Sequence, residues 1–251
     1  MDKLAGKSVI VTGGGSGIGR AAVELLGEQG ALVTVADLNE AGGKAAAAAL
    51  NKGGQGRAQF VTADVSSEES VRAMVAAAAS KFGSVDGAIN SAGVVQHWKL
   101  LHELSAAEWD FVVNINLRGM FFCIKYQIQQ MMKNSGGAIV AIASIAANIG
   151  FGNSAEYCAS KAGVTGLVRA AAMDYAKQGI RVNALLPGPT MTPLVERALA
   201  TKPKNLGSLE LPIGRIAAPA EVARGAVWMI SDEASYMSGS CMTIDGGLSV
   251  A

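Results

Sequence analysis

Along this 251-residue chain, short β-branched apolar runs alternate with alanine-rich amphipathic stretches. The runs at 7–12, 32–36, 59–63, 86–90, 138–143, 180–186 and 242–244 predict seven strands, the last of them short. The intervening stretches predict helices. The first runs from a glycine cluster to about residue 29 and closes at Gly30, followed by 40–52. The third starts at a Ser66/Ser67 cap with Glu68 and Glu69 in its first turn, a favourable placement of negative charge. A long helix at 106–133, another at 154–178 and a last one at 220–230 complete the set. Near-continuous apolar strands separated by helices indicate βαβ units, with a parallel sheet covered on both faces. The expectation is an α/β protein: one domain over 1–251, a doubly wound parallel sheet of about seven strands, helices on both faces.

Composition narrows what such a chain does. Half of the residues are apolar, 16% are charged and the net charge is +1 with no block of like charges, so neither disorder nor binding to nucleic acid or an anionic membrane is expected. No apolar run is long enough to span a bilayer, and the opening MDKLAGK lacks the apolar core of a secretory leader. Cys123, Cys158 and Cys241 form no CxxC pair and are odd in number, which argues against a disulfide framework. With His97 and His102 as the only histidines, no metal site is expected. The setting implied is soluble, reducing and cytoplasmic.

The glycine cluster TGGGSGIG at 12–19 lies between the first strand and the first helix. There Gly13, Ser16, Gly17, Ile18 and Gly19 form a turn where the backbone can approach a pyrophosphate, whose charge the helix N-terminus favours. Asp37 ends the second strand, twenty positions after Gly17, and Leu38 follows it. A carboxylate there accepts hydrogen bonds from adenosine ribose hydroxyls and repels a 2′-phosphate. With no Arg or Lys at 16 or 38, NAD is predicted over NADP. Asp64 and Val65 follow the third strand; Asn90, Ala92 and Gly93 follow the fourth. All lie at strand carboxyl ends, the edge where open α/β sheets bind ligands.

Tyr157 and Lys161 stand four positions apart, so on a helix the phenol and the ammonium share a face. A nearby cation favours phenolate and lowers the phenol pKa, giving an acid/base usable near neutral pH.

Taken together, TGGGSGIG, Asp37, Asp64, NSAG (90–93), VNINLRG (113–119), Ser144, YCASK (157–161), RVNALLPG (181–188), Thr192 and DGG (245–247) resemble the short-chain dehydrogenase/reductase family over essentially the whole chain. The resemblance implies a single Rossmann-type domain and a catalytic tetrad of Asn116, Ser144, Tyr157 and Lys161. Tyr157 would take the alcohol proton as hydride leaves for the nicotinamide, and Ser144 would hold the substrate oxygen. Lys161 would also bind the nicotinamide ribose, and Asn116 would hold a water that relays protons from Lys161. Asn114 competes for that last role; Asn116 is preferred because Leu117-Arg118-Gly119 follows it, as in the family pattern. Pro187 and Gly188 would turn the chain beneath the nicotinamide, with Thr190 and Thr192 binding its carboxamide. Ser91 departs from the second Asn that many relatives carry.

Residues 94–101 and the segment around 190–214 are expected to shape the substrate pocket; the resemblance implies that the second is a lid, and its Pro193, Lys202, Pro203 and Gly207 suit an irregular segment, with Lys204 beside them. Candidate lining residues are Val94, Gln96, Ser144, Ile145, Ala146, Phe151, Met191 and Leu194, mostly apolar and without an Arg cluster. They predict a neutral hydrophobic secondary alcohol or ketone, cyclic ones included. Helix 106–133 carries Phe111, Val112, Met120, Phe121, Phe122 and Ile124, more than one core stripe needs, which points to a subunit interface; in relatives that means a homotetramer. Two other functions compete with an alcohol dehydrogenase. A ketoreductase of 3-oxoacyl carrier substrates is disfavoured by Asp37 and the lack of a basic docking patch. A non-catalytic NAD sensor is disfavoured by the presence of Ser144, Tyr157 and Lys161.

Overall fold

All five residues of β1 (Ser8–Thr12) are buried, which requires cover on both faces of the strand. The computed structural model describes residues 3–52, 56–203 and 210–250. After β1 come α1 (Gly17–Glu28), β2 (Leu32–Asp37), α2 (Glu40–Leu50), β3 (Ala58–Thr62), α3 (Glu68–Phe82) and β4 (Gly87–Asn90). Then follow α4 (Ala106–Val113), α5 (Gly119–Met131), β5 (Gly137–Ile142), α6 (Ala155–Tyr175), β6 (Ile180–Pro187), α7 (Pro193–Thr201), α8 (Pro219–Ile230) and β7 (Cys241–Ile244). The strands run in the order β3-β2-β1-β4-β5-β6-β7, every neighbouring pair parallel. This is the doubly wound sheet expected. The chain moves outward from β1 to β3, then restarts at β4 on the other side of β1. That reversal opens a crevice at the carboxyl ends of β1 and β4, the place where such sheets bind ligands.

The two-residue period of the strands divides the core. Ile10, Ala88, Ile139 and Val182 pack beneath Met74 of α3, Ile124 and Ile128 of α5 and Val164 and Val168 of α6. On the opposite face Val9, Val11, Ile89, Val140 and Leu185 meet Val23 and Leu26 of α1, Ala46 of α2 and Val222 and Met229 of α8. Each large aliphatic side chain sealed this way contributes roughly 1.5–3 kcal/mol over its exposed state, so the sheet is a rigid floor for whatever lies along its edge.

Local differences from the expected elements have physical causes. At α3 the cap is Ser67, whose Oγ accepts the Ser70 amide; Ser66 instead donates to Asp64 Oδ1. The long helix expected at 106–133 is interrupted by one π-helical turn, Asn114–Arg118. Such a turn shifts the residues on either side out of a single stripe. Val112, Met120, Phe122 and Ile124 are consequently buried, while Phe111 and Phe121 remain exposed beside Trp109. The expected second apolar face is thus a narrower edge. In the lid, α7 takes up the first part, and Lys204 and Gly207 lie outside the described residues. No helix among the described residues is long and apolar enough to cross a membrane.

Candidate active site

A cleft of about 1060 Å³ lies along the carboxyl edge of the sheet, lined by residues that follow six of the seven strands. Its size is at the upper end for small-molecule sites, room for a cofactor and a small substrate together.

At one end the β1–α1 turn comes first. Gly13 has φ 66°, and a Cβ there would lie 2.9 Å from the Ala92 amide nitrogen. Gly17 has φ 52°, and its Cβ would meet Thr192 Cγ2 at 3.0 Å. Only glycine lets these segments close around the cleft. Ser16 and Ile18 line it as well, whereas Gly19 is buried behind the turn, where a side chain would meet the Gly13 carbonyl. Asp37 projects into the same end; its Oδ2 accepts the Gly15 amide at 2.9 Å and its Oδ1 the Asn39 amide at 2.8 Å. A carboxylate has about four lone-pair positions, so acceptor capacity remains for a ribose. Leu38, largely exposed, and Asp64 and Val65 continue this wall. The donor set, a glycine turn opposite a carboxylate at the end of the neighbouring strand, fits a dinucleotide.

Past the crossover, Ala92 and Gly93 line the cleft but Asn90 does not. Its amide is buried and paired twice with Gln127, at 2.8 Å in each direction, because a side chain pointing into the α5 layer must be satisfied there. Pro187, Gly188, Thr190 and Thr192 form the floor beneath the far end. Thr192 Oγ1 also accepts the Val195 amide as the N-cap of α7, with Pro193 at the first helical position.

Ser144 lies two residues past the end of β5, and Tyr157 and Lys161 enter on the first turns of α6; all three line the cleft. Ser144 Oγ accepts the Ala146 amide at 3.1 Å, which fixes the hydroxyl at the cleft. Lys161 Nζ donates to the Ile142 carbonyl at 3.1 Å and lies 5.7 Å from the centre of the Tyr157 ring. The shared helix face expected of the pair is present. The expected depression of the phenol pKa is not. Burial pushes the Tyr157 phenol up, only partly opposed by a hydrogen bond with Ser144. The same burial pulls Lys161 down to about 8. Both charged forms are taken out of water, and that cost exceeds the attraction expected between them.

Asn116 is buried on the π-helical turn and does not itself line the cleft. Its Oδ1 accepts the Val94 amide at 2.8 Å, and its Nδ2 reaches the Val94 carbonyl at 3.0 Å and Ser160 Oγ at 3.3 Å. Both amide hydrogens are used, leaving an Oδ1 lone pair for a water. Asn114, two residues earlier on the same turn, is half-buried.

Of the expected substrate residues, Val94, Gln96, Ile145, Phe151 and Leu194 line the cleft with Ser144. Ala146 is buried behind Ile145, and Met191 turns outward to solvent, so neither does. Sequence reasoning missed Trp98 and Arg197, which do line it. Trp98 was visible as the large aromatic of the 94–101 segment; Arg197 on α7 carried no local signal. Among the described residues no group of His, Cys, Asp and Glu is arranged to hold a metal.

A family model described as "Enoyl-(Acyl carrier protein) reductase" matches residues 13–249. The chain is 46% identical over 251 residues to a 2,5-dichloro-2,5-cyclohexadiene-1,4-diol dehydrogenase of Sphingobium indicum, covering 98% of each chain. It is 42% identical to the cis-4-hydroxycyclohexanecarboxylate dehydrogenase of Sinomonas cyclohexanicum, again over 98% of each. Among solved structures, that of levodione reductase superposes with a TM-score of 0.94 at 36% identity, covering 99% of each chain. A glycine turn facing a strand-end carboxylate, a tyrosine–lysine pair beside a strand-end serine, and matches of this extent agree: the chain belongs to the short-chain dehydrogenase/reductase family of oxidoreductases, whose dehydrogenases use nicotinamide cofactors.

Proposed function

We propose that this chain is an NAD-dependent dehydrogenase that interconverts a neutral, hydrophobic, cyclic secondary alcohol and its ketone. The observation that carries the reading is the placement of Ser144, Tyr157 and Lys161 in the same cleft as the β1–α1 glycine turn and Asp37. Asp37 supports NAD over NADP, since a 2′-phosphate beside it would bring like charges together. The apolar wall of Val94, Ile145, Phe151 and Leu194 suits a ring, and two relatives are named for cyclohexane-type substrates.

A nicotinamide held between the β1–α1 turn and Thr190 and Thr192 would supply the acceptor for the hydride released from the carbinol carbon. Tyr157 takes the hydroxyl proton in that direction and returns it in ketone reduction. Ser144 holds the substrate oxygen, its own hydroxyl oriented by the Ala146 amide. Lys161, tethered by the Ile142 carbonyl, supplies positive charge below about pH 8 and a proton acceptor above it. Asn116 holds the loop at Val94 in register with α6 and has an acceptor left for the water of a proton relay. The roles of Gly13, Ser16, Gly17, Ile18, Asp37, Leu38, Asp64, Val65, Ala92, Gly93, Pro187, Gly188, Thr190 and Thr192 in holding the cofactor belong to the same proposal.

The reading takes 1–251 as one catalytic domain with its lid around 190–214, working in the cytoplasm. The exposed edge of Trp109, Phe111 and Phe121 supports a homotetramer; a monomeric mass by light scattering at micromolar concentration would remove that part. Arg197 at the lid favours a second substrate class, a ring alcohol bearing a carboxylate. The test is NADH formation from NAD across cyclic, acyclic and carboxylated secondary alcohols, with 3-oxoacyl thioesters as reduction substrates. Cyclic alcohols should turn over fastest. Preference for a thioester would favour the ketoreductase, and absence of turnover with intact NAD binding would favour a sensor.

A further inference from the structure

Among the described residues, two other than glycine adopt left-handed backbone, Trp98 and Asn153, each at φ 58°. Asparagine accepts this conformation because its short amide bonds to nearby backbone; a bulky indole does so only where the surroundings impose it. Those surroundings are identifiable. The His97 amide donates to Glu156 Oε1 at 2.8 Å, and His97 Nδ1 lies 3.2 Å from the same oxygen. Glu156 is fully buried, one residue before Tyr157, and its Oε2 has no hydrogen-bond partner. A buried carboxylate is costly unless its bonds are needed, and the bonds it makes all go to residue 97. The His97 ring also meets Phe111 of α4 edge-on, with centroids 6.0 Å apart. On the other side the Trp98 carbonyl accepts Asn153 Nδ2 at 3.4 Å, so the two left-handed residues hold each other.

Held in this way, the indole reaches across to the lid. Trp98 Nε1 donates to the Ala198 carbonyl of α7 at 3.1 Å, and Lys202 Nζ stands 6.0 Å from the ring centre. Ala198 is one of the last four residues of α7, whose carbonyls have no backbone amide four residues on within the helix to donate to them. The indole therefore acts as a capping donor from outside, shared with Thr201 Oγ1 at 3.1 Å. A nine-residue helix is too short to hold its position by itself, so ties of this kind decide where it lies.

We propose that Trp98 is a specificity-determining residue, forming one wall of the substrate end of the cleft and setting the position of α7 through the Ala198 carbonyl. Glu156 and Asn153 are positioning residues that keep residue 98 left-handed. The specificity part rests on the dehydrogenase reading of the cleft; the positioning of α7 does not.

Trp98→Phe keeps the aromatic wall and removes only the N–H donor. Amide hydrogen exchange over 193–203 should quicken by up to about tenfold, the net worth of one hydrogen bond, with the core strands unchanged. KM for the cyclic alcohol should rise severalfold, with kcat and NAD affinity held within about twofold. Glu156→Ala should loosen α7 similarly without touching it, and Glu156→Gln, which retains the acceptor for the His97 amide, should restore it. Trp98→Ala should reduce discrimination between a monocyclic and a bicyclic alcohol by about tenfold. Unchanged exchange in α7 with Trp98→Phe overturns the tether, and unchanged discrimination with Trp98→Ala overturns the wall. Wild-type protein that neither binds NAD nor turns over an alcohol overturns the dehydrogenase reading instead, while exchange in α7 still judges the tether.

Discussion

The β1–β2 end of the cleft presents backbone amides and one carboxylate, all from a single βαβ unit; the β5–α6 end presents side chains drawn from loops and helices far apart in sequence. The first depends on what is missing: side chains at Gly13 and Gly17 that would fill the cradle. The second depends on what is sealed: a phenol pushed up and an ammonium pulled down by the same burial. The geometry of one end is encoded by a short motif. The electrostatics of the other exist only in the assembled fold.

Tyr157→Phe is the sharpest way to separate the two ends. Removing the proposed acid/base hydroxyl should lower turnover by about 10³-fold or more, while NAD affinity, set mainly by groups other than this phenol, stays near that of the wild type. Stopped-flow turnover and cofactor titration measure both quantities. Residual activity within tenfold of the wild type would mean that another group moves the proton.

The same division explains how much could be read in advance. The sheet was legible because its strands are covered on both sides and are therefore apolar throughout, as in Ser8–Thr12. The glycine turn and the place of Asp37 at the cleft were legible because they depend on local backbone and one spacing. The inward turn of the Asn90 side chain was not legible because its partner, Gln127, lies thirty-seven residues away on another element. Met191 and Ala146 fall outside the cleft lining for a related reason: a place near the site in sequence does not say which way a side chain turns. The π-helical turn that aims Asn116 at Val94 left no composition signal, since Asn114–Arg118 reads as ordinary helix. Trp98 needed the positions of Glu156, Asn153 and Ala198 before its role could be seen.

Lys161→Met tests the electrostatics of the sealed end apart from turnover. Lys161 has its pKa lowered from 10.5 to about 8 by burial, so the unfolded chain holds that proton more tightly than the folded one. Wild-type stability should therefore rise with pH between about 8 and 10.5 as the lysine neutralises, and the destabilisation is complete below about 8. Methionine, uncharged and of similar length, should raise stability most at pH 7, by up to about 3 kcal/mol before the lost bond to Ile142 is subtracted. The advantage should shrink towards pH 10.5. Melting temperatures of both proteins across that range decide it, because other titrating groups cancel in the difference. A gap that does not change with pH would mean that the ammonium is better solvated than its burial implies.

Asp37→Ala carries the smallest expected effect and bears on the cofactor end alone. The carboxylate accepts the Gly15 and Asn39 amides, and both can turn to water at the exposed mouth, so the fold should be little disturbed. The ribose hydroxyls lose an acceptor and a 2′-phosphate loses a repulsive neighbour. KM for NAD should rise and KM for NADP fall, shifting the ratio of their kcat/KM values by about tenfold, roughly the worth of one charge-assisted hydrogen bond. Turnover at saturating NAD should stay within about twofold, because Tyr157, Ser144 and Lys161 are untouched. An unchanged ratio would take selectivity away from Asp37. A large fall in saturated turnover would show that the two ends of the cleft are mechanically joined, and the path between them is visible: the β1–α1 turn at Gly17 lies so near Thr192 that a side chain there would press on it, and Thr192 caps α7, the helix that Trp98 holds.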